Sequence, residues 1–132
     1  MAQELFRMVC VPAALDGAPD GWAVEMLRNG DIALLADGSG LAGVNAVAHA
    51  LDLVTVPVVR AEETGERQDE TVIAHAGSLP LVWLGKSFSD RVRAWARDRG
   101  PMTLLVEVDG ALPDDERRRI ERFVALLGRQ TE

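Results

Sequence analysis

Apolar and polar positions follow two different spacings along this chain, and the spacing predicts which segments are strands and which are helices. Short apolar runs predict buried β-strands, because a strand inside a covered sheet packs on both of its faces. Pro57 lies in one of these runs and favours a sheet edge or a bulge there, since proline cannot donate to a hydrogen-bond ladder. The runs cover residues 5–11, 32–36, 54–59, 71–75, 81–84 and 102–108.

Four longer segments carry apolar residues three and four positions apart, which is the spacing of one helix face. The first covers residues 22–28, and Gly30 is its expected stop. The third covers residues 89–99 with Ser89 as N-cap, and the fourth opens on Pro113 followed by acidic residues. The expected buried faces of the last three helices are Val44, Val47, Ala48 and Leu51, then Val92, Trp95 and Ala96, then Ile120, Phe123, Val124 and Leu127.

Strands that alternate with helices are typical of βα units and a parallel sheet. We therefore predict an α/β fold: a single three-layer α/β/α domain over residues 1–132, with a mainly parallel sheet of five or six strands, Rossmann-like or flavodoxin-like. The most polar segment, residues 61–70, holds five acidic residues and one arginine. Its composition predicts an exposed loop that contributes little to stability.

Composition excludes several classes of protein. The length of 132 residues suits one domain, and Cys10 is the only cysteine, so no disulfide can form within the chain. A net charge of −7 argues against a nucleic-acid partner, which needs a basic surface. No apolar run approaches the roughly 20 residues of a membrane span, and no basic stretch precedes the first apolar run. We therefore expect a cytoplasmic protein that binds neither nucleic acid nor membrane.

The segment 31–51 has the one local pattern that carries a binding mechanism. An apolar run leads into the residues Asp37, Gly38 and Ser39, and Gly40 and Gly43 complete a G-x-G-x-x-G spacing at the start of a predicted helix. Free backbone N–H groups and the helix dipole point at one spot in such a turn, so it can bind a phosphate. The glycines could equally serve only the geometry of a tight strand-to-helix turn.

Over about 25 residues this segment resembles the Rossmann dinucleotide-binding fingerprint. The resemblance implies an acidic residue about 20 positions further on that binds a ribose hydroxyl, and Glu62 lies 24 positions after Gly38. The glycines follow the second predicted strand, whereas the fingerprint usually follows the first. The resemblance implies a nucleotide or another phosphate-bearing small molecule, without identifying a cofactor.

Other polar residues also follow predicted strands, where ligands of parallel sheets bind. Lys86 is the only lysine, and with Asp37 it resembles the Asp…Lys pair of response-regulator receiver domains, although the acidic pair expected after the first strand is absent. Asp16 and Asp109 follow strands as well, and with Asp37 they could hold Mg²⁺ through oxygen ligands and waters, but we interpret them as loop-capping residues, so no metal site is expected. The sequence shows no recognisable nucleophile or general base, which leaves enzymatic activity open.

Arginines recur on the third and fourth predicted helices. They give an alternative function, a non-catalytic interaction module or assembly subunit, because a basic helix face can bind an acidic surface. That surface could belong to another protein or to segment 61–70 of another copy in a homo-oligomer. The primary hypothesis is a small-ligand binding or sensing domain whose ligand lies at Asp37, Gly38, Ser39, Gly40, Gly43 and Glu62. The arginines are Arg91, Arg93, Arg97 and Arg99, then Arg117, Arg118, Arg119 and Arg122.

Overall fold

A computed structural model describes residues 5–15, 21–26, 30–35, 40–51, 56–59 and 62–130. Four parallel strands form one sheet in the order β2-β1-β3-β4. The strands are β1 (Phe6–Cys10), β2 (Gly30–Leu34), β3 (Leu81–Gly85) and β4 (Thr103–Glu107). The helices are α1 (Trp22–Met26), α2 (Gly40–Ala50), α3 (Gly65–Ala76), α4 (Asp90–Arg99) and α5 (Asp114–Gln130), and 3₁₀ turns lie at Pro12–Leu15 and Gly100–Met102. The predicted α/β class with a mainly parallel sheet is confirmed.

The sequence predicts more strands than the described part of the chain shows. The predicted strand 54–59 contributes one isolated parallel bridge, between Leu34 and Val58, at the outer edge of β2. Two hydrogen bonds hold it there: the Leu34 N–H donates to the Pro57 carbonyl at 2.9 Å, and the Val59 N–H donates to the Leu34 carbonyl at 2.7 Å. Pro57 has no N–H of its own, which limits the length of this ladder.

The predicted strand 71–75 is wrong, because these residues belong to helix α3. The Thr64 side chain caps this helix by accepting a hydrogen bond from the Arg67 N–H at 3.1 Å. Val72 and Ala76 lie one helical turn apart and are fully buried. Burial of that helical face outweighs the strand preference of the β-branched residues in this segment. The loop predicted at 61–70 is wrong for its second half, since α3 begins at Gly65.

Two apolar clusters use alternate residues of the same strands. Met8 and Val9 are neighbours in β1 but belong to different clusters, because successive strand side chains point to opposite faces. The first cluster combines strand residues with α2 and α5, through Val47, Ala48, Ile120 and Leu127 among others. The second combines strand residues with α3 and α4, through Val72, Ala76 and Val92.

Several local predictions are confirmed or corrected by the packing. Ser89 is the N-cap of α4, as predicted, and accepts a hydrogen bond from the Val92 N–H at 3.2 Å. Gly30, predicted as a helix stop, is instead the first residue of β2 and pairs with Phe6. A Cβ at position 30 would overlap the Phe6 ring, so the buried position of that ring favours glycine here. None of the helices in the described ranges is long and apolar enough to cross a membrane.

Candidate functional site

A cavity of about 410 Å³ lies at the carboxyl ends of the strands. The residue that directly follows each strand lines this cavity: Val11 after β1, Leu35 after β2, Lys86 after β3 and Val108 after β4. From β1 the chain continues to β2 on one side, whereas β3 lies on the other side of β1. The strand order thus reverses between β1 and β3, which is where ligands of open parallel sheets bind.

The base of the cavity is apolar and held by backbone hydrogen bonds. Val11, Leu35 and Trp83 line it, and Trp83 is only 4% exposed. The Leu35 N–H donates to the Cys10 carbonyl and the Val108 N–H donates to the Gly85 carbonyl, both at 2.8 Å. These bonds continue the ladders past the strand ends, so the backbone at the apolar base is fully paired at these two positions.

Lys86 and Asp109 form an ion pair at the rim of the cavity. The Lys86 Nζ lies 3.6 Å from the Asp109 Oδ1, and the two side chains are 80% and 84% exposed. A pair this exposed contributes little to stability, and a bound ligand can replace either partner. Lys86 therefore supplies an exposed positive charge beside the apolar base.

Helix α3 supplies the polar wall through Gln68 and Asp69. The Gln68 Oε1 accepts a hydrogen bond from the Glu62 N–H at 3.1 Å. The Asp69 Oδ2 accepts one from the Ser89 Oγ at 3.4 Å. Burial raises the pKa of the Asp69 carboxyl above its ordinary value, while the Ser89 hydrogen bond and the Arg91 charge oppose that rise. Asp69 is thus a partly desolvated acceptor in the wall of the cavity.

A second cavity, of about 590 Å³, adjoins the first between the N-terminal parts of α3 and α4. Asp69 and Ser87 line both cavities, so the two spaces meet at these side chains. Glu66 and Arg91 contribute charges of opposite sign to the second cavity. Together the cavities can hold a molecule with one apolar and one polar part.

The residues predicted from the glycine pattern are described only in part. Asp37, Gly38 and Ser39 lie outside the described residues, as does Asp16. Gly40 and Gly43 lie in the first turn of α2, where Gly40 is the first helical residue. Glu62 is half-buried and is connected to the cavity wall through its bond to Gln68.

Sequence reasoning missed Asp69, because segment 61–70 was predicted to be a loop. The sequence does contain a helix-start signal there: Thr64 as a cap, the acidic Glu66 in the first turn, and the apolar pair Val72 and Ala76 further on. Reading that signal would have placed Asp69 on a helix that also carries a buried face.

Four of the eight arginines that the sequence predicts on α4 and α5 form ion pairs within the chain. Arg91 contacts Glu66 and Glu70 of α3, so the acidic segment 61–70 pairs with α4 of its own chain. The other pairs are Arg93 with Glu107, Arg117 with Asp114, and Arg119 with Glu116. Within the described part of the chain, the exposed Arg118 and Arg122 form no ion pair.

The residues that the structure describes give little support for a reactive cysteine or a metal site. Cys10 is fully buried, and burial raises the pKa of its thiol to about 12. A thiol in that state is a packing residue and a poor nucleophile at neutral pH. Among the residues that the structure describes, no group of three or more His, Cys, Asp or Glu side chains could hold a metal ion.

Comparison of this chain with protein-family models, with curated proteins and with solved structures finds no match.

Proposed function

We propose that this chain is a small-ligand binding or sensing domain and that its ligand lies in the cavity at the carboxyl ends of the strands. The observation that supports this proposal is the position of that cavity at the reversal of strand order between β1 and β3. We also propose the finer fold type, a three-layer Rossmann-like domain. It is supported by two apolar clusters that draw on different helix pairs.

The proposed ligand is a nucleotide or another phosphorylated metabolite. Helix α2 begins at Gly40, five positions after the cavity-lining Leu35, so the glycine turn follows a strand that borders the cavity. The backbone N–H groups and dipole of a helix N-terminus favour an anion. Lys86 adds a positive charge at the rim. The phosphate is therefore expected at Asp37–Gly43 and the remainder of the ligand over the apolar base.

A thermal-shift experiment with a blocking variant tests this proposal. AMP, ribose 5-phosphate, inorganic phosphate and a wider set of phosphorylated metabolites are added to the wild type and to Ser87→Trp, which places an indole in both cavities. A ligand that binds only the folded state raises the melting temperature. We expect shifts in the wild type that the variant loses.

Ser78→Trp is the matched control. Ser78 is also an exposed serine, but it lies between α3 and the amino end of β3, away from the cavity. The control should keep every shift seen in the wild type. Equal shifts in all three proteins would place the ligand elsewhere, and no shift with any compound would contradict the proposed function.

A second candidate function is a protein interaction module built on α5. Arg118, Arg122 and Leu126 lie four positions apart and therefore share one face of this helix. Leu126 is 56% exposed, the most exposed of the large apolar side chains that the structure describes. An apolar residue beside two arginines favours an acidic partner surface with an apolar contact.

A further inference from the structure

We infer that Asp69 selects the ligand by accepting hydrogen bonds from its hydroxyl groups, so that the ligand class is a polyhydroxylated phosphate ester such as a sugar phosphate. This inference rests on the proposed function, since it concerns the same cavity. Its starting point is position: Asp69 is the only charged side chain that the described lining residues of both cavities have in common. A ligand that extends from the apolar base into the second cavity must pass it.

Asp69 has acceptor capacity that the described chain leaves unused. A carboxylate can accept about four hydrogen bonds, and the one that Asp69 accepts, from the Ser89 hydroxyl, is long at 3.4 Å. No ion pair engages it in the described ranges, because Arg91 is directed to Glu66 and Glu70 at 3.2 and 2.9 Å. A partly desolvated carboxylate gains more from an added donor than an exposed one does.

The surroundings of Asp69 already accommodate a neutral donor. Arg91, the cation nearest to this carboxylate, is paired with Glu66 and Glu70. A hydroxyl adds a hydrogen bond to Asp69 without adding a charge. The Ser89 hydroxyl already makes a contact of this kind, so the geometry around Asp69 accommodates an O–H donor.

The same charges orient the ligand. Glu66, Asp69 and Arg91 line the second cavity, where the two carboxylates outnumber the one guanidinium, and this excess of negative charge disfavours a phosphate there. Lys86 lines the first cavity, on the side of the strand ends. The hydroxyl-bearing part of the ligand is therefore expected at Asp69, and the phosphate in the first cavity on the side of Lys86.

Two probes that differ in their hydroxyl groups test the inference. Ribose 5-phosphate and n-pentyl phosphate share five carbons and one phosphate, and only the first carries sugar hydroxyls. Calorimetric titrations compare both probes on the wild type and on Asp69→Ala. A hydrogen bond to a charged acceptor contributes more binding free energy than one between neutral groups. We therefore expect Asp69→Ala to lose about tenfold in affinity for ribose 5-phosphate. The affinity for pentyl phosphate should change by less than about twofold.

The control is Asp98→Ala, which removes the same group and the same charge from an exposed position near the end of α4. It should bind both probes as the wild type does. Asp69→Leu, which keeps the approximate shape of the side chain and removes both acceptor oxygens, gives the same comparison if the alanine variant folds poorly.

The possible failures are distinct. If Asp69→Ala weakens both probes equally or neither, hydroxyl recognition by Asp69 is wrong. If neither probe binds the wild type while another phosphorylated compound raises its melting temperature, the inference falls and the proposed function stands. If no phosphorylated compound binds, both the inference and the proposed function are wrong.

Discussion

Arg91 of α4 donates a hydrogen bond to Glu70 of α3, with 2.9 Å between its Nη2 and the Glu70 Oε1. Its Nη1 contacts the Glu66 Oε1 at 3.2 Å, one helical turn earlier on the same helix. A single guanidinium therefore links the two helices that border the second cavity. All three side chains are more than half exposed, so solvent screens the attraction.

We predict that Arg91→Ala lowers the free energy of unfolding by less than about 1 kcal/mol, since exposed ion pairs contribute little. Urea unfolding at low and high salt measures the effect, which should shrink at high salt. Arg97→Ala is the control, because Arg97 is exposed on the same helix and has no ion pair within the described ranges. A loss of several kcal/mol, independent of salt, would show that Arg91 has a packing role instead.

The sequence predicts the strands of the sheet well but misses α3. Each of the four paired strands overlaps a predicted apolar run, and β2 differs most, starting two positions early at Gly30. That early start depends on contact with Phe6, a partner distant in sequence. Helix α3 was missed because residues 71–75 have strand propensity, while the burial of Val72 and Ala76 that decides their conformation comes from tertiary packing.

The candidate site is likewise predicted only in part. Lys86 and Asp109 follow apolar runs and both line the cavity, but the sequence favours a loop-capping role for Asp109 and places no ligand at either residue. Asp69 could not be identified in the same way, because its role depends on which end of α3 faces the strand ends. The spacing of residues in a sequence indicates which of them share one face of a helix or strand. It does not indicate which helices and strands pack against each other.

Cys10 gives a prediction about stability at alkaline pH. Burial raises the pKa of its thiol from the ordinary value of 9.0 to about 12 in the folded state. The folded state therefore keeps a proton that the unfolded state loses, so stability is complete below pH 9 and declines as the pH rises towards 12. Between pH 8 and pH 10 this loss is on the order of 1 kcal/mol.

Urea unfolding at the two pH values measures that loss, and Cys10→Ala is the control because it lacks the thiol. The variant should be less stable overall but should show a smaller decline between the two pH values. As a second readout, iodoacetamide should alkylate the native thiol far more slowly than the unfolded one at pH 8. Rapid alkylation of the folded protein would contradict the buried state.

Helix α5 gives a prediction about the core. Ile120 is fully buried, whereas Phe123 is half-buried at the margin of the same cluster. Ile120→Ala should cost about 2–5 kcal/mol through the cavity that it leaves. Phe123→Ala should cost less than the roughly 3–5 kcal/mol of a fully buried aromatic, since part of the ring already contacts water. Urea unfolding measures the loss of stability in both variants. A larger loss for Phe123→Ala than for Ile120→Ala would show that Phe123 is the main apolar contact of α5.

The glycine turn gives a prediction about binding. Gly40→Val should abolish the melting shift caused by phosphorylated compounds while the protein still folds, because a side chain at the start of α2 blocks close approach to the backbone. Ala42→Val is the control, since Ala42 is exposed in the same first turn. Equal shifts in the two variants would exclude the turn from the site.

The α5 face gives a prediction that separates the two candidate functions. If Arg118 and Arg122 bind an acidic partner or a second copy, Arg118→Glu combined with Arg122→Glu should weaken that association and change its salt dependence. Both residues are exposed, so the monomer should fold normally. Size-exclusion chromatography and co-purification at low and high salt measure the effect.

Arg67→Glu combined with Arg97→Glu is the control, because it makes the same change of net charge at exposed positions on α3 and α4. A face-specific interaction is lost only in the α5 variant, whereas a general charge effect appears in both. Leu126→Lys adds a test of the apolar contact, since burial of a leucine side chain contributes through the hydrophobic effect, which salt does not screen. An assembly that none of these variants disturbs would leave α5 as a solvated surface and the cavity as the only functional feature argued from the described residues.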